Sequence, residues 1–293
     1  MRENSPRCEN NPVRKSPERD LRAKPFSNGL TWLTRSMSLL RRQAGRMLLI
    51  AVLMQLILGL TRLPVIGFLI IISVPGLTAG ILEVFHVIVK GGTPGLNLLF
   101  RPLLSGTHTG RLLVMGAIIF VVGVLSISLV LSGAQDTLDP EVLSRIEQGD
   151  MDAIALLDQQ ALGKIIAAFM VGIAVSGTLS YFTIPLIWFG DRKLVPALTE
   201  GLRALFANWR PFLMLALGLM AALLPVAIVS GILLGLASAG GFVAVIVMAV
   251  IMILLLAFQM LLFGTQYCAY QDIFGIGDNS PPEEADDDSQ LLA

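Results

Sequence analysis

LVPALTEGLRALFANWR, Leu194 to Arg210, decides how this 293-residue chain is read. Leu194, Leu198, Leu202, Leu205 and Trp209 recur at helical spacing and form one apolar stripe, with Thr199, Glu200, Arg203 and Asn208 off it. A strongly apolar run opens straight afterwards at Pro211, a residue that suits the first turn of a helix because its missing N–H would be unpaired there. A basic amphipathic segment feeding such a run reads as an interfacial helix leading into a transmembrane one. The arrangement recurs ahead of Met47 and ahead of Leu112.

Composition agrees. The chain is 55% hydrophobic and 14% charged, with a mean hydropathy of +0.76, against roughly 25% charged residues in soluble proteins. So little charge cannot cover a folded soluble surface, and the reading is an all-α integral membrane protein. The formal net charge of zero hides a polarity. Residues 1–46 hold eleven Lys/Arg and four Asp/Glu, whereas residues 271–293 hold seven acids and no base. Residues 1–28 and 273–293 lack the apolar content to order themselves and read as disordered tails, with mutual pairing of the two tails or docking to a partner as the minor alternatives. Cys8 and Cys268 are too few and too far apart for a disulfide framework. No cleavable signal peptide is expected.

Between the tails, residues 29–272 read as a six-span domain. The spans fall at 47–60, 64–89, 112–131, 165–189, 211–236 and 242–263. The first is short between Arg46 and Arg62, so its arginines must snorkel or the bilayer must thin. Residues 134–163 form an acidic loop with a short helix expected from Pro140 to Leu157. With both tails in the cytoplasm, 18 of the 21 basic residues fall on that side, so the positive-inside rule places both termini in the cytoplasm.

Internal matches point to three repeats, each an interfacial amphipathic helix followed by a helical hairpin. Pro94, Leu96, Arg101 and Leu103 match Pro196, Leu198, Arg203 and Leu205 at an offset of 102, and Leu33, Thr34 and Leu40 match Leu198, Thr199 and Leu205 at 165. On the first unit, Leu30, Leu33, Met37, Leu40 and Ala44 form the expected apolar stripe, with Arg35, Arg41 and Arg42 opposite.

Glu83 and His86 are the candidate intramembrane polar site. Three positions apart, they share a helix face inside the end of span two, where an ionisable group is costly. A helix–helix polar contact and a substrate or proton site are both open readings. A carboxylate-bridged metal pair is not, because no second Glu-x-x-His occurs. Arg35, Arg41, Arg42 and Arg203 are candidate contacts for anionic lipid headgroups. Gln55, Gln259 and Gln266, with the hydroxyls of span four, read as interhelical glue. The glycine pairs Gly76/Gly80 and Gly231/Gly235 allow close helix approach.

No dinucleotide, P-loop, nucleophile-elbow or zinc-protease motif occurs, and two histidines leave little material for a catalytic site. The expectation is therefore a non-enzyme with no cofactor, no metal and no nucleic-acid partner. Its interfacial helices would engage membrane lipids or an envelope partner. The alternative is a secondary transporter or permease, since proline-interrupted spans often line midplane sites.

The basic segment running into span one, the Pro75-Gly76 span closing with Glu83 and Lys90-Gly91-Gly92, and the later Leu198 to Pro211 segment with Asn208 and Pro211-Phe212 resemble a known pattern. It is that of a family of bacterial six-span inner-membrane proteins of unknown function. That pattern is similar in turn to the membrane domain attached to some glycerophosphodiester phosphodiesterases. The resemblance covers about residues 29–272. It implies location and architecture, and it carries over no catalytic residue because no phosphodiesterase domain is present.

Overall fold

A computed structural model describes residues 23–132, 140–147, 159–237 and 240–275. In lipid every backbone polar group must be satisfied within the segment, so long apolar runs become helices. Among the described residues all regular elements are helical. They are α1 (Asn28–Arg42), α2 (Ala44–Gly59), α3 (Pro64–Val89), α4 (Arg101–Leu104), α5 (Thr109–Ser132), α6 (Pro140–Glu147), α7 (Gln159–Ser180), α8 (Thr183–Trp188), α9 (Leu194–Ala207), α10 (Trp209–Ala237) and α11 (Gly241–Phe274). Short 3-10 turns at Leu60–Arg62 and Leu96–Leu99 precede α3 and α4.

Among the described residues, six stretches are long and apolar enough to cross a bilayer: Ala44–Arg62, Val65–Val89, Thr109–Leu129, Gln159–Trp188, Trp209–Leu236 and Gly241–Phe274. The chain is an all-helical multi-pass membrane protein. Its first span is longer than the sequence reading, because the helix starts at Ala44 and the 3-10 turn extends it to Arg62. Arg46 does not depend on snorkelling alone, since its Nη1 donates to the Pro94 carbonyl at 3.3 Å. Span four begins six residues earlier than expected, at Gln159, and α11 runs eleven residues beyond the expected Phe263. Residues 148–157 of the expected Pro140–Leu157 helix lie outside the described residues. The described chain begins at residue 23, within the segment read as a tail, and its Lys24 is bonded to the end of α11.

Burial is uneven along the helices. The core gathers at one end, around Trp32, Phe85, Phe182, Tyr267 and Tyr270. There α1 lies on α10 and α11, residues 96–104 lie on α3, and α9 lies on α8. The far halves expose Phe68, Leu125, Leu224, Ile232 and Phe242. Only 6% of the most apolar stretch of span five is buried inside the protein, so that stretch faces lipid. Lipid tails are as apolar as leucine, and nothing drives such side chains inward.

The same physics corrects the stripe in α9. Its buried residues are Ala197, Gly201 and Ala204, with Asn208 next, while the leucines flank them half-buried and Trp209 is 57% exposed. In α1 the buried residues are Gly29, Trp32, Ser36 and Leu39 rather than the Leu30/Met37/Ala44 side. Small residues win these faces because they let backbones approach. Gly80 shows the limit: a Cβ there would collide with the Leu99 backbone. Gly76 and Gly80 thus seat residues 96–104, whereas a side chain at Gly231 would meet open space.

Candidate functional site: a polar clasp at the packed end

Glu83 sits on α3 six residues before its end and is 7% exposed. Both carboxylate oxygens are used. Arg101 Nη1 donates to Oε1 at 2.7 Å and Trp188 Nε1 donates to Oε2 at 2.9 Å. One carboxylate therefore ties α3 to α4 and to α8. The Arg101 side chain is itself 60% exposed, so the pair is only half removed from water.

His86, one turn on, takes different partners. Its Nδ1 lies 2.8 Å from the Tyr267 hydroxyl, which accepts from Gln271 Nε2 at 2.7 Å. The imidazole also packs against Phe189 at 5.2 Å between centroids. Glu83 and His86 are neighbours on one face, yet each is committed to a different helix.

A second carboxylate, Asp272 on α11, receives three donors: Lys24 Nζ at 2.7 Å, Asn28 Nδ2 at 2.8 Å and Trp32 Nε1 at 2.9 Å. The Lys24 backbone N–H also donates to Asn208 Oδ1 at 2.8 Å. Thus the two ends of the domain are fastened together. Sequence reasoning passed over Asp272 because it adjoins the acidic tail. The available signal was the four-residue spacing of Lys24, Asn28 and Trp32, three donors on one helical stripe.

Pro185 creates a third tie. It has no N–H for the Tyr181 carbonyl four residues earlier, and Gln266 Nε2 supplies that bond at 2.7 Å. Outside the spans, Asp191 accepts from Arg111 Nη1 at 2.8 Å and faces His108 Nε2 at 3.1 Å. The Arg111 guanidinium holds this exposed carboxyl below the usual carboxylate range, with His108 adding to the effect. Arg35, Arg41, Arg42 and Arg203 are all exposed and take no part in the Glu83 clasp.

No group of three or more His, Cys, Asp or Glu able to hold a metal ion occurs among the described residues. The two carboxylates of the packed end, Glu83 and Asp272, are each held by two or more donors, which is the chemistry of fastening. No protein-family model, characterised protein or solved structure matches this chain. Function must therefore be argued from the geometry itself.

Proposed function

We propose that this is a non-catalytic inner-membrane protein built from three interfacial-helix-plus-hairpin units. Its packed end lies in the cytoplasm with both termini, and Arg35, Arg41, Arg42 and Arg203 engage anionic lipid there. Membership of the six-span family it resembles is part of the same reading. One observation carries it. Among the described residues, the acids of the packed end are engaged by other bases: Glu83 by Arg101, Asp272 by Lys24, Asp191 by Arg111 and Glu200 by Arg192. The four exposed arginines stand outside these pairs, where cytoplasmic-leaflet headgroups attract each by about 1 kcal/mol.

The repeat is supported by burial. At the offset of 165, buried Trp32, Ser36 and Leu39 correspond to buried Ala197, Gly201 and Ala204, and the helix break at Gln43 corresponds to that at Asn208. At 102, buried Leu99 and Pro102 correspond to Gly201 and Ala204. The equivalent residues make equivalent contacts. Ser36 meets Gly264, Leu99 meets Gly80, and Gly201 meets Phe182 and Thr183. Each unit's connecting helix thereby rests on the second helix of the unit before it, and α1 on α11 closes the ring.

Changing Arg35, Arg41, Arg42 and Arg203 together to Gln is expected to abolish preferential retention of phosphatidylglycerol over phosphatidylethanolamine in native mass spectra. Unchanged preference would remove the lipid role. Orientation has its own test. Alkaline phosphatase fused after Glu147 is expected to be active and after Gly277 inactive, and activity at Gly277 would overturn the assignment. A transporter or permease is the second reading, favoured by Pro75 and Pro225 inside α3 and α10.

A further inference from the structure

The elbow between α1 and α2 faces the last hairpin. At Gln43 the backbone leaves the helical conformation, with φ −137° and ψ 38°, and a cavity of about 260 Å³ lies between the elbow, α10 and α11. Met37, Leu40 and Leu48 wall it on the elbow side, Val226 on α10, and Leu254 and Ala257 on α11. Met37 and Ala257 are exposed, so the cavity opens sideways to where lipid lies. An apolar groove by itself selects no occupant, but this one carries a charge. Of its lining side chains only Arg41 is polar.

Position and charge together define what fits. Arg41 lies three residues before Ala44, where the first span begins, so its guanidinium stands at the level of lipid phosphates. Val226 is 17 residues into α10, about 26 Å from its start, which puts the opposite end among acyl chains. The cavity thus sets a cation and a hydrocarbon wall in the order in which an anionic phospholipid presents phosphate and chain. Arg41 is exposed and takes no hydrogen bond or ion pair among the described residues. A guanidinium at a hydrocarbon edge is costly without a counter-charge, and its fork matches phosphate oxygens. Arg35, Arg42 and Arg203 do not line the cavity.

We propose that this cavity seats one acyl chain of an anionic bilayer phospholipid, with its phosphate on the Arg41 guanidinium. The inference rests on the lipid reading above and deepens it. One of the four arginines holds a lipid by chain and headgroup together, where the other three attract headgroups by charge alone.

Ala257→Trp plugs the cavity from α11, and Ala222→Phe does so from α10. Both keep all four arginines, so an attraction by charge alone survives them and only a seated chain is displaced. Delipidated full-length protein is titrated with dioleoyl phosphatidylglycerol and followed by native mass spectrometry, with melting temperatures to show that each variant is folded. The wild type should hold one lipid tightly. Arg41→Gln should weaken it at least about tenfold, the factor one hydrogen bond to a charged group commands. A folded plug should weaken it about tenfold as well, by keeping about two methylenes from being buried. Wild-type binding by Arg41→Gln, or by a folded plug, would overturn the inference. So would a dimer in the spectra that a plug dissociates, which would give the cavity to a second copy of the chain. The two readings part in the four-arginine variant. If it still prefers phosphatidylglycerol over phosphatidylethanolamine, lipid attraction by the arginines fails altogether. If that preference is abolished while a folded plug binds as the wild type does, only the seated lipid fails.

Discussion

Trp32→Ala is expected to destabilise the detergent-solubilised protein by about 3–5 kcal/mol, the range for deleting a large buried aromatic. Trp32 is 2% exposed, its ring lies 5.3 Å from that of Phe212 on α10, and its Nε1 donates to Asp272 on α11. It thus holds α1 to both helices of the last hairpin by different means. Alanine leaves a cavity where the helices meet and strips one of three donors from Asp272. Trp32→Phe keeps most of the packing and gives up only the bond, and should cost about 1 kcal/mol. Thermal melts and dodecyl-sulfate titrations of the three proteins give the comparison. An alanine variant that unfolds like the wild type would make α1 a peripheral appendage and undo the account of the core given above.

Glu83→Leu comes next, at about 3 kcal/mol. The loss has two parts. Trp188 Nε1, on a half-buried ring, is left without an acceptor, which costs about 1–3 kcal/mol, and a charge-assisted bond to Arg101 disappears. The second part is discounted because Arg101 is exposed enough to be resolvated. Glutamine is a poor repair. It offers one acceptor oxygen, while its amide nitrogen presents hydrogens to whichever donor is left over. Glu83→Gln should therefore cost about 1–2 kcal/mol. The diagnostic variant is the pair Glu83→Leu with Trp188→Phe, which removes donor and acceptor together and should be more stable than Glu83→Leu alone. If the double variant is the less stable by the sum of both losses, Trp188 and Glu83 do not share a bond in solution.

The spans were legible because a bilayer admits so few structures, and a run of twenty apolar residues has almost no other fate. Glu83 was legible for the same reason, a carboxylate inside such a run. Its partners were not. Arg101 and Trp188 lie 18 and 105 positions away, and each has an obvious alternative role as a basic flank or an interfacial aromatic. The faces of α1 and α9 were misjudged by about one position around the helix. A periodicity argument assigns the largest apolar residues to the interior, whereas here Ser36, Ala197 and Gly201 occupy it and leucines border lipid. Gln266 was read correctly in kind, as a polar tie between helices, but its target is a carbonyl that only the Pro185 backbone makes vacant. Asp272 was hidden by company, one acid among seven in a segment whose composition speaks of solvent.

The concentration of burial at one end makes the molecule a fork. Its handle is riveted by Trp32, Glu83, His86 and Asp272, and its tines are helix pairs, α5 with α7 and α10 with α11, whose outer faces meet hydrocarbon. Opening energies follow that division. Amides of the lower halves of α5, α7 and α10 exchange from partial openings that leave the handle closed, while those around Phe85 and Tyr267 wait for the whole domain to unfold. The cross-section facing one leaflet is accordingly firm and that facing the other is compliant. Lateral pressure in the second leaflet is then free to spread or gather the tines without disturbing a single bond in the first.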